Sequence, residues 1–423
     1  MHFTPLRWLL FVCFSFLILS GTDLSAQAEG PVPTSDDPFG SGGAFKPQVE
    51  TGGSYSPHNG NGTRSITDLE VPGAVGSGLD FTRHWNSTDE NFGQTDSPFA
   101  GPGPFAYGGW THSWNWVALR VEDIVESDGS GVPRYSNSMT VRYPDGRAAR
   151  FDSGLDTADY WTSPDWPGTK HSGDYMVRMD PVRKDFWLYV SDGSSVLFRP
   201  FGDILWLGVE VIDPHGLKTV LSYNGAGELQ TVRSQDGREL RLTWNTVDDP
   251  GYAGLRVITR VESGVGEGSQ GVVYSYVSPG GKPALGGATY LYKGQPVPEE
   301  ASTYTYQWWN TSQSGAIYGF GALLTSADDS RFEGAMTRIR YIFRGGPGGT
   351  EFPDAPNCQN PVLSAGNPLS MVPFPIEQEL SWDETMVSKF DIPDNCRTNT
   401  GTRTETNGLG AKRMFYYGRA SGP

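Results

Sequence analysis

Five histidines follow the apolar N-terminal stretch: His58, His84, His112, His171 and His215. They lie far apart and none belongs to an H-E-x-x-H, so the helix-borne zinc pair with its carboxylate base is missing. There is no G-x-S-x-G to raise a serine on a strand-to-helix elbow. Gly266-Glu267-Gly268-Ser269-Gln270-Gly271 does fit G-x-G-x-x-G. A dinucleotide site, however, needs a helix to start there so that its first amides meet the pyrophosphate. The strand-like VVYSYV follows instead, and the run reads as a glycine-rich turn. The carboxylate pairs Asp248-Asp249 and Asp328-Asp329 are adjacent in sequence, and neighbours on a strand face opposite ways. They form no acid/base pair. His112, within GWTHSW and flanked by Trp110 and Trp114, is the most suggestive single residue, as a ligand or a base. The reading adopted is a packed histidine. Trp114-Trp116 and Trp308-Trp309 could stack on sugar rings, although single exposed aromatics are ordinary. The expectation is no catalytic residue, no metal, no cofactor, and carbohydrate as the one small-molecule class kept open.

The elements that would position such residues follow from composition. Glycine contributes 55 of 423 residues and the aromatics 53, from 13 Trp, 19 Tyr and 21 Phe. Turn formers and aromatics together point to many short strands and exclude an aromatic-poor disordered chain. A net charge of −16 speaks against nucleic acid, whose phosphates are bound through Lys and Arg. Residues 1–28 read as a cleavable signal peptide: Arg7, the apolar core Trp8 to Leu19, then Ala26-Gln27-Ala28. Twelve apolar residues fall short of the roughly 20 that a spanning helix needs. No later stretch supplies a span, so the expectation is a secreted or surface-held protein. Cleavage removes Cys13 and leaves Cys358 and Cys396, which could pair in an oxidising compartment or remain two separate buried thiols.

Along the mature chain four regions separate. Residues 29–75 are rich in Gly, Pro and Ser and read as a flexible lead-in. Residues 76–205 carry short alternating runs between turn clusters, as in DFWLYVSDGSSVLFRP, which reads as a hairpin. Residues 206–345 continue in that way, with Tyr304, Tyr306 and Trp308 on one face. Residues 346–423 read as a loop-rich insertion that holds both cysteines and the start of a further repeat. The chain breaks off within that pattern, so further repeats downstream are expected. No window of twelve residues keeps a helical period free of Gly and Pro. The fold expected is all-β, built from short antiparallel strands and hairpins, with no substantial helix apart from the signal peptide.

Within 206–345 the chain nearly repeats itself at 21 positions. Gly216 falls on Gly237, Leu221 on Leu242, and Tyr223 on Trp244. Each unit is a turn followed by a half-buried strand, with Leu240, Leu242 and Trp244 inward and Glu239, Arg241 and Thr243 outward. Asn224-Gly225 and Asp236-Gly237 supply residues that tolerate positive φ. The next unit, VVYSYV, recurs only at an offset of 32, about eleven residues later than the period requires.

These units, Asp213–Tyr223 and Asp236–Trp244 with Gly227-Glu228-Leu229 between them, resemble the Rhs or YD repeats of bacterial surface and secreted proteins. GSGLDFTRHWNST (76–88) and GGWTHSWNWVAL (108–119) are similar to the segment that precedes the first such repeats, with Trp85 and Trp114 where Tyr is commoner. The resemblance covers roughly residues 76 to 345. It implies a hollow shell made by one spiralling β-sheet ribbon. It also implies a non-enzymatic scaffold that contacts neighbouring cells or carries a C-terminal effector. The repeats are few and no self-cleaving motif is present. The other class of reading is a secreted carbohydrate-binding or carbohydrate-active β-protein.

Overall fold

A computed structural model describes residues 55–56, 61–73, 78–86, 103–127, 133–146, 148–152, 160–162, 174–180, 184–264, 269–310, 320–329, 336–343, 373–380, 387–391, 401–406 and 412–417. The signal segment, Cys358 and Cys396 lie outside them. The described chain is nearly all β, with antiparallel pairing throughout its named strands. Only short 3-10 turns, such as Pro250–Tyr252, interrupt the strands. Among the described residues no helix is long and apolar enough to cross a membrane.

Three units are built in order. First comes a small sheet of β1 (Tyr55–Ser56), β2 (Asn61–Val71), β3 (Leu79–Asn86) and β4 (Trp110–His112). Next are β5 (Val117–Ser127), β6 (Pro133–Arg142), β7 (Ala148–Asp152), β8 (Tyr160–Thr162), β9 (Tyr175–Asp180), β10 (Asp185–Tyr189), β11 (Ser195–Pro200) and β12 (Leu205–Ile212). Each pairs with the next, and Leu205, Trp206 and Leu207 of β12 pair back onto β5, closing the ring. Eight strands leave an interior that side chains can fill, and here Met139, Phe151, Met176, Phe198 and Trp206 fill it. The later half of β12 pairs with β13 (Lys218–Tyr223), and a ribbon leaves the barrel. It runs through β14 (Leu229–Ser234), β15 (Glu239–Thr246), β16 (Arg256–Ser263), β17 (Gln270–Val277), β18 (Ala284–Tyr292) and β19 (Gln295–Asn310). It continues as β20 (Phe320–Asp329), β21 (Met336–Phe343), β22 (Pro373–Leu380), β23 (Val387–Asp391), β24 (Gly401–Thr406) and β25 (Lys412–Tyr417).

Gly208 stands at the fork in β12. Its N–H donates to Trp116 O, and a Cβ there would lie 2.6 Å from Trp116 Cβ. A bulge between Leu197 and Phe198 in the β11 pairing leaves Val209 as the extra residue. The inner face therefore passes unbroken from barrel to ribbon, and Val211 packs against both cores.

The repeat has a physical basis in turns and bulges. Hairpins at 190–194, 213–217, 224–228 and 234–238 share one frame: the first and fifth residues exchange a backbone bond, and the fourth is a glycine with positive φ. This is the three-residue loop closed by a left-handed glycine. At the Asn224-Gly225 turn, the positive φ falls on Gly227 and not on the Asn224-Gly225 pair expected to supply it. Asn224 accepts from Ala226 N and Glu228 N instead. At the far end of each unit the register slips by one residue. It does so immediately before Tyr223, Trp244, Tyr276, Tyr306 and Tyr341. A bulge adds twist and re-aims the next side chain, so the ribbon turns at each of these rings.

Two segments read as loops contribute strands. Asn61–Val71, placed in the lead-in, is β2, with Ile66 and Leu69 in the main core. Residues 373–417, placed in an insertion, supply β22 to β25 in continued antiparallel order. The prolines of PFPIEQEL disguised that run. Pro375 pairs with Tyr341 at the bulge, a position where a strand tolerates a missing N–H.

Candidate functional site

The alternation of the repeats holds in space. Leu221, Leu240 and Leu242 are buried, Arg241 and Thr243 are exposed, and Tyr223 and Trp244 lie half-buried against the same core. The two rings are equivalent in chemistry as well. The Tyr223 hydroxyl donates to Gly208 O at 2.8 Å, and Trp244 Nε1 donates to Leu229 O at 2.8 Å, 21 residues on in both partners. Tyr276 continues the series onto Ile258 O, and Tyr306 onto Leu285 O. Each ring thus ties the end of its strand to the carbonyl of the strand before. The shared local sequence is Leu-Ser-Tyr (221–223), Leu-Thr-Trp (242–244), Tyr-Ser-Tyr (274–276) and Tyr-Thr-Tyr (304–306). Residue types at those three places would have revealed Tyr306, which a fixed period could not.

In the last two of these units a tyrosine replaces the inward leucine, and both phenols meet one buried ion pair. Asp68 of β2 accepts from Arg83 Nε at 2.5 Å and Nη2 at 2.8 Å, from the Tyr274 hydroxyl at 2.6 Å and from the Tyr290 hydroxyl at 2.8 Å. A carboxylate offers about four lone-pair positions, and all are taken. Arg83 donates through Nη1 to the Tyr304 hydroxyl at 2.9 Å, and its guanidinium lies 5.3 Å from the Trp110 ring centroid. Both charged side chains are fully shielded from solvent. Burial works to lower the Arg83 pKa, but the adjoining Asp68 charge outweighs it and holds the guanidinium well above its ordinary value. Burial raises the Tyr274 phenol well above its usual range, and the Asp68 charge adds to that. Arg83 and Tyr274 therefore both keep their protons at neutral pH.

This centre joins the small sheet to the buried face of the ribbon. Asp68, Arg83 and Trp110 come from β2, β3 and β4, while Tyr274, Tyr290 and Tyr304 come from β17, β18 and β19. One core holds Leu79, Phe81 and Phe105 together with Val232, Val261 and Leu285. At this level the ribbon's inner face packs against the chain's own N-terminal sheet. The Asp236-Gly237-Arg238 turn adds a second tie, with Arg238 Nη1 donating to Val71 O at 2.8 Å.

His112 is a packed histidine, as read from the sequence. It stacks on Phe81 with centroids 5.1 Å apart, and its Nδ1 accepts from Trp114 N at 3.2 Å. Burial, with the nearby His84 and Arg142, lowers its pKa to about 3. In the Trp114-Trp116 pair, Trp114 is half-buried with Nε1 donating to Asp80 O, and Trp116 is buried in the barrel beside Tyr143. The side chains of Trp308 and Trp309 lie outside the described residues. The six-residue glycine run leads into β17, not a helix. Among the described residues no cluster of His, Cys, Asp and Glu could hold a metal. The centre is saturated by its own partners and offers structure, not a reacting group.

No family model and no curated protein matches the chain. Solved structures it is similar to include TcdB2-TccC3-TEV, at a TM-score of 0.32 and 11% identity over 86% of this chain and 22% of that one. TcdB2-TccC3 without its hypervariable C-terminal region gives 0.33 and 12% over 74% and 19%. A porin-like protein from Bacteroides uniformis gives 0.19 and 11% over 72% and 95%. The chain spans about a fifth of the length of the TcdB2-TccC3 chains. Superpositions this loose decide neither fold nor function.

Proposed function

We propose that this chain is an exported, non-enzymatic scaffold of the Rhs/YD-repeat type. It serves at the cell surface or as the carrier of a C-terminal effector. The observation that supports this reading is the recurring unit of left-handed glycine, buried inward residue, bulge and ring-to-carbonyl tie. Repeated units of this kind build a long wall of stacked hairpins. The saturated Asp68–Arg83 centre agrees with a structural role, since a carboxylate with four donors has no lone pair left for proton transfer.

The test locates and assays the native protein. An antibody raised against the 213–238 hairpins is applied to intact producing cells and to their medium. Protein purified from the positive fraction is then assayed on polysaccharides, peptides and esters. The scaffold reading expects surface or medium staining, a mature N-terminus near Glu29 and no turnover. Cytoplasmic protein that keeps Met1, or turnover that survives purification to homogeneity, would overturn it.

A further inference from the structure

On the outer wall of the barrel, away from both cores, three aromatic side chains stand together. Tyr175 of β9 and Tyr189 of β10 are directly paired across the strands, and their rings stack at 4.9 Å with 19° between planes. Trp187, two residues back on β10, lies 6.4 Å from Tyr189 at 30°. Tyr175 is 42% exposed, while Trp187 and Tyr189 are half-buried. Cross-strand stacking explains the contact between the tyrosines. It leaves unexplained why large rings alternate outward here while Phe186 and Leu188 fill the interior of the same strand.

Polar groups bracket this strip. At one end Asp185 and Arg199 approach to 3.8 Å, with the arginine 58% exposed. At the other, Ser195 pairs with Tyr189, and the tip carries Asp192. The turn uses only Asp192 Oδ1, which accepts from Ser194 N and Oγ. Oδ2 makes no hydrogen bond among the described residues.

We propose that Tyr175, Trp187 and Tyr189 form a binding platform for a neutral glycan chain. A pyranose presents an apolar C–H face suited to an aromatic ring, and its rim of hydroxyls suits the ion pair and the hairpin tip. The shape of the patch selects this occupant. Among the described residues the other large exposed apolar side chains, Ile204, Val220 and Tyr292 among them, lie on other strands or turns, so the strip they leave is narrow. A protein partner ordinarily needs about 800 Å² per side. The chain's charge of −16 disfavours acidic glycans. The site stands apart from the scaffold reading and holds whether or not an effector is carried.

The whole secreted chain is run in native gels cast with neutral β-glucan, xylan or mannan, and in parallel with heparin or polygalacturonate. Retardation by at least one neutral polysaccharide is expected. Trp187→Ala and Tyr175→Ala should each weaken it about tenfold or more. Tyr292→Ala, exposed elsewhere, should leave it unchanged. Tyr175→Ala removes an outward ring and keeps the barrel core, so it remains informative if Trp187→Ala unfolds. No retardation, retardation only by the acidic chains, or retardation that survives in folded Tyr175→Ala overturns the proposal.

Discussion

Arg83 shows how one residue fixes the relation between two sheets. A buried pair is dangerous to break, because removing one partner strands the other charge in an apolar interior at a cost of about 3–5 kcal/mol. Arg83→Met should therefore destabilise strongly, and so should Asp68→Leu. The double variant should lose less than the sum of the two, since no bare charge then remains. Urea titrations of the four proteins measure this, and strict additivity would show that the pair is not coupled. His112 makes a second prediction. Its folded pKa, lowered by burial to about 3, lies below the unfolded value of about 6.5. The unfolded chain then binds the extra proton, so stability from this residue is complete above pH 6.5 and is lost as pH falls toward 3. The slope is at most about 1.4 kcal/mol per pH unit. His112→Gln should flatten the change in urea midpoint between pH 7 and pH 4.5, and an unchanged slope would assign the acid sensitivity elsewhere.

The strands show which patterns a sequence exposes. Period-two alternation placed Leu240, Leu242 and Trp244 inward and Arg241 outward, and the structure keeps that phase. Trp244→Ala should cost about 3 kcal/mol through lost packing and the lost bond to Leu229 O. Arg241→Ala should cost about 0.5 kcal/mol or less, its partner Glu239 being a surface ion pair. Equal losses in denaturant would contradict the phase. Hairpins were legible for the same reason, because turn glycines and alternating runs are local. Asp68 was not. It is the extra residue of a bulge between Thr67 and Leu69, so Asp68 and Leu69 are buried in succession. It fell within the Gly-, Pro- and Ser-rich stretch read as a lead-in, and its four donors come from residues 15 to 222 positions away. The unequal loops between units broke the fixed period at the later repeats. The 3-10 turn at Pro250–Tyr252 lies in the insertion that turns a spacing of 21 into one of 32.

At the scale of the whole molecule, barrel, ribbon and N-terminal sheet share two adjoining cores, with Val211 between them. The ribbon's inner aromatic face is completed by β2 to β4, which the two long-range polar ties of Asp68–Arg83 and Arg238 hold in place. Parts joined in this way should open together, as one unit. Native-state hydrogen exchange on the intact chain tests that most directly. Amides in the centres of β2 and β3 should exchange at the same opening free energy as those of β14 to β18, in the slowest class the molecule shows. Exchange in β2 and β3 orders of magnitude faster than in the ribbon would mean that the sheet lifts away by itself, and would contradict the account.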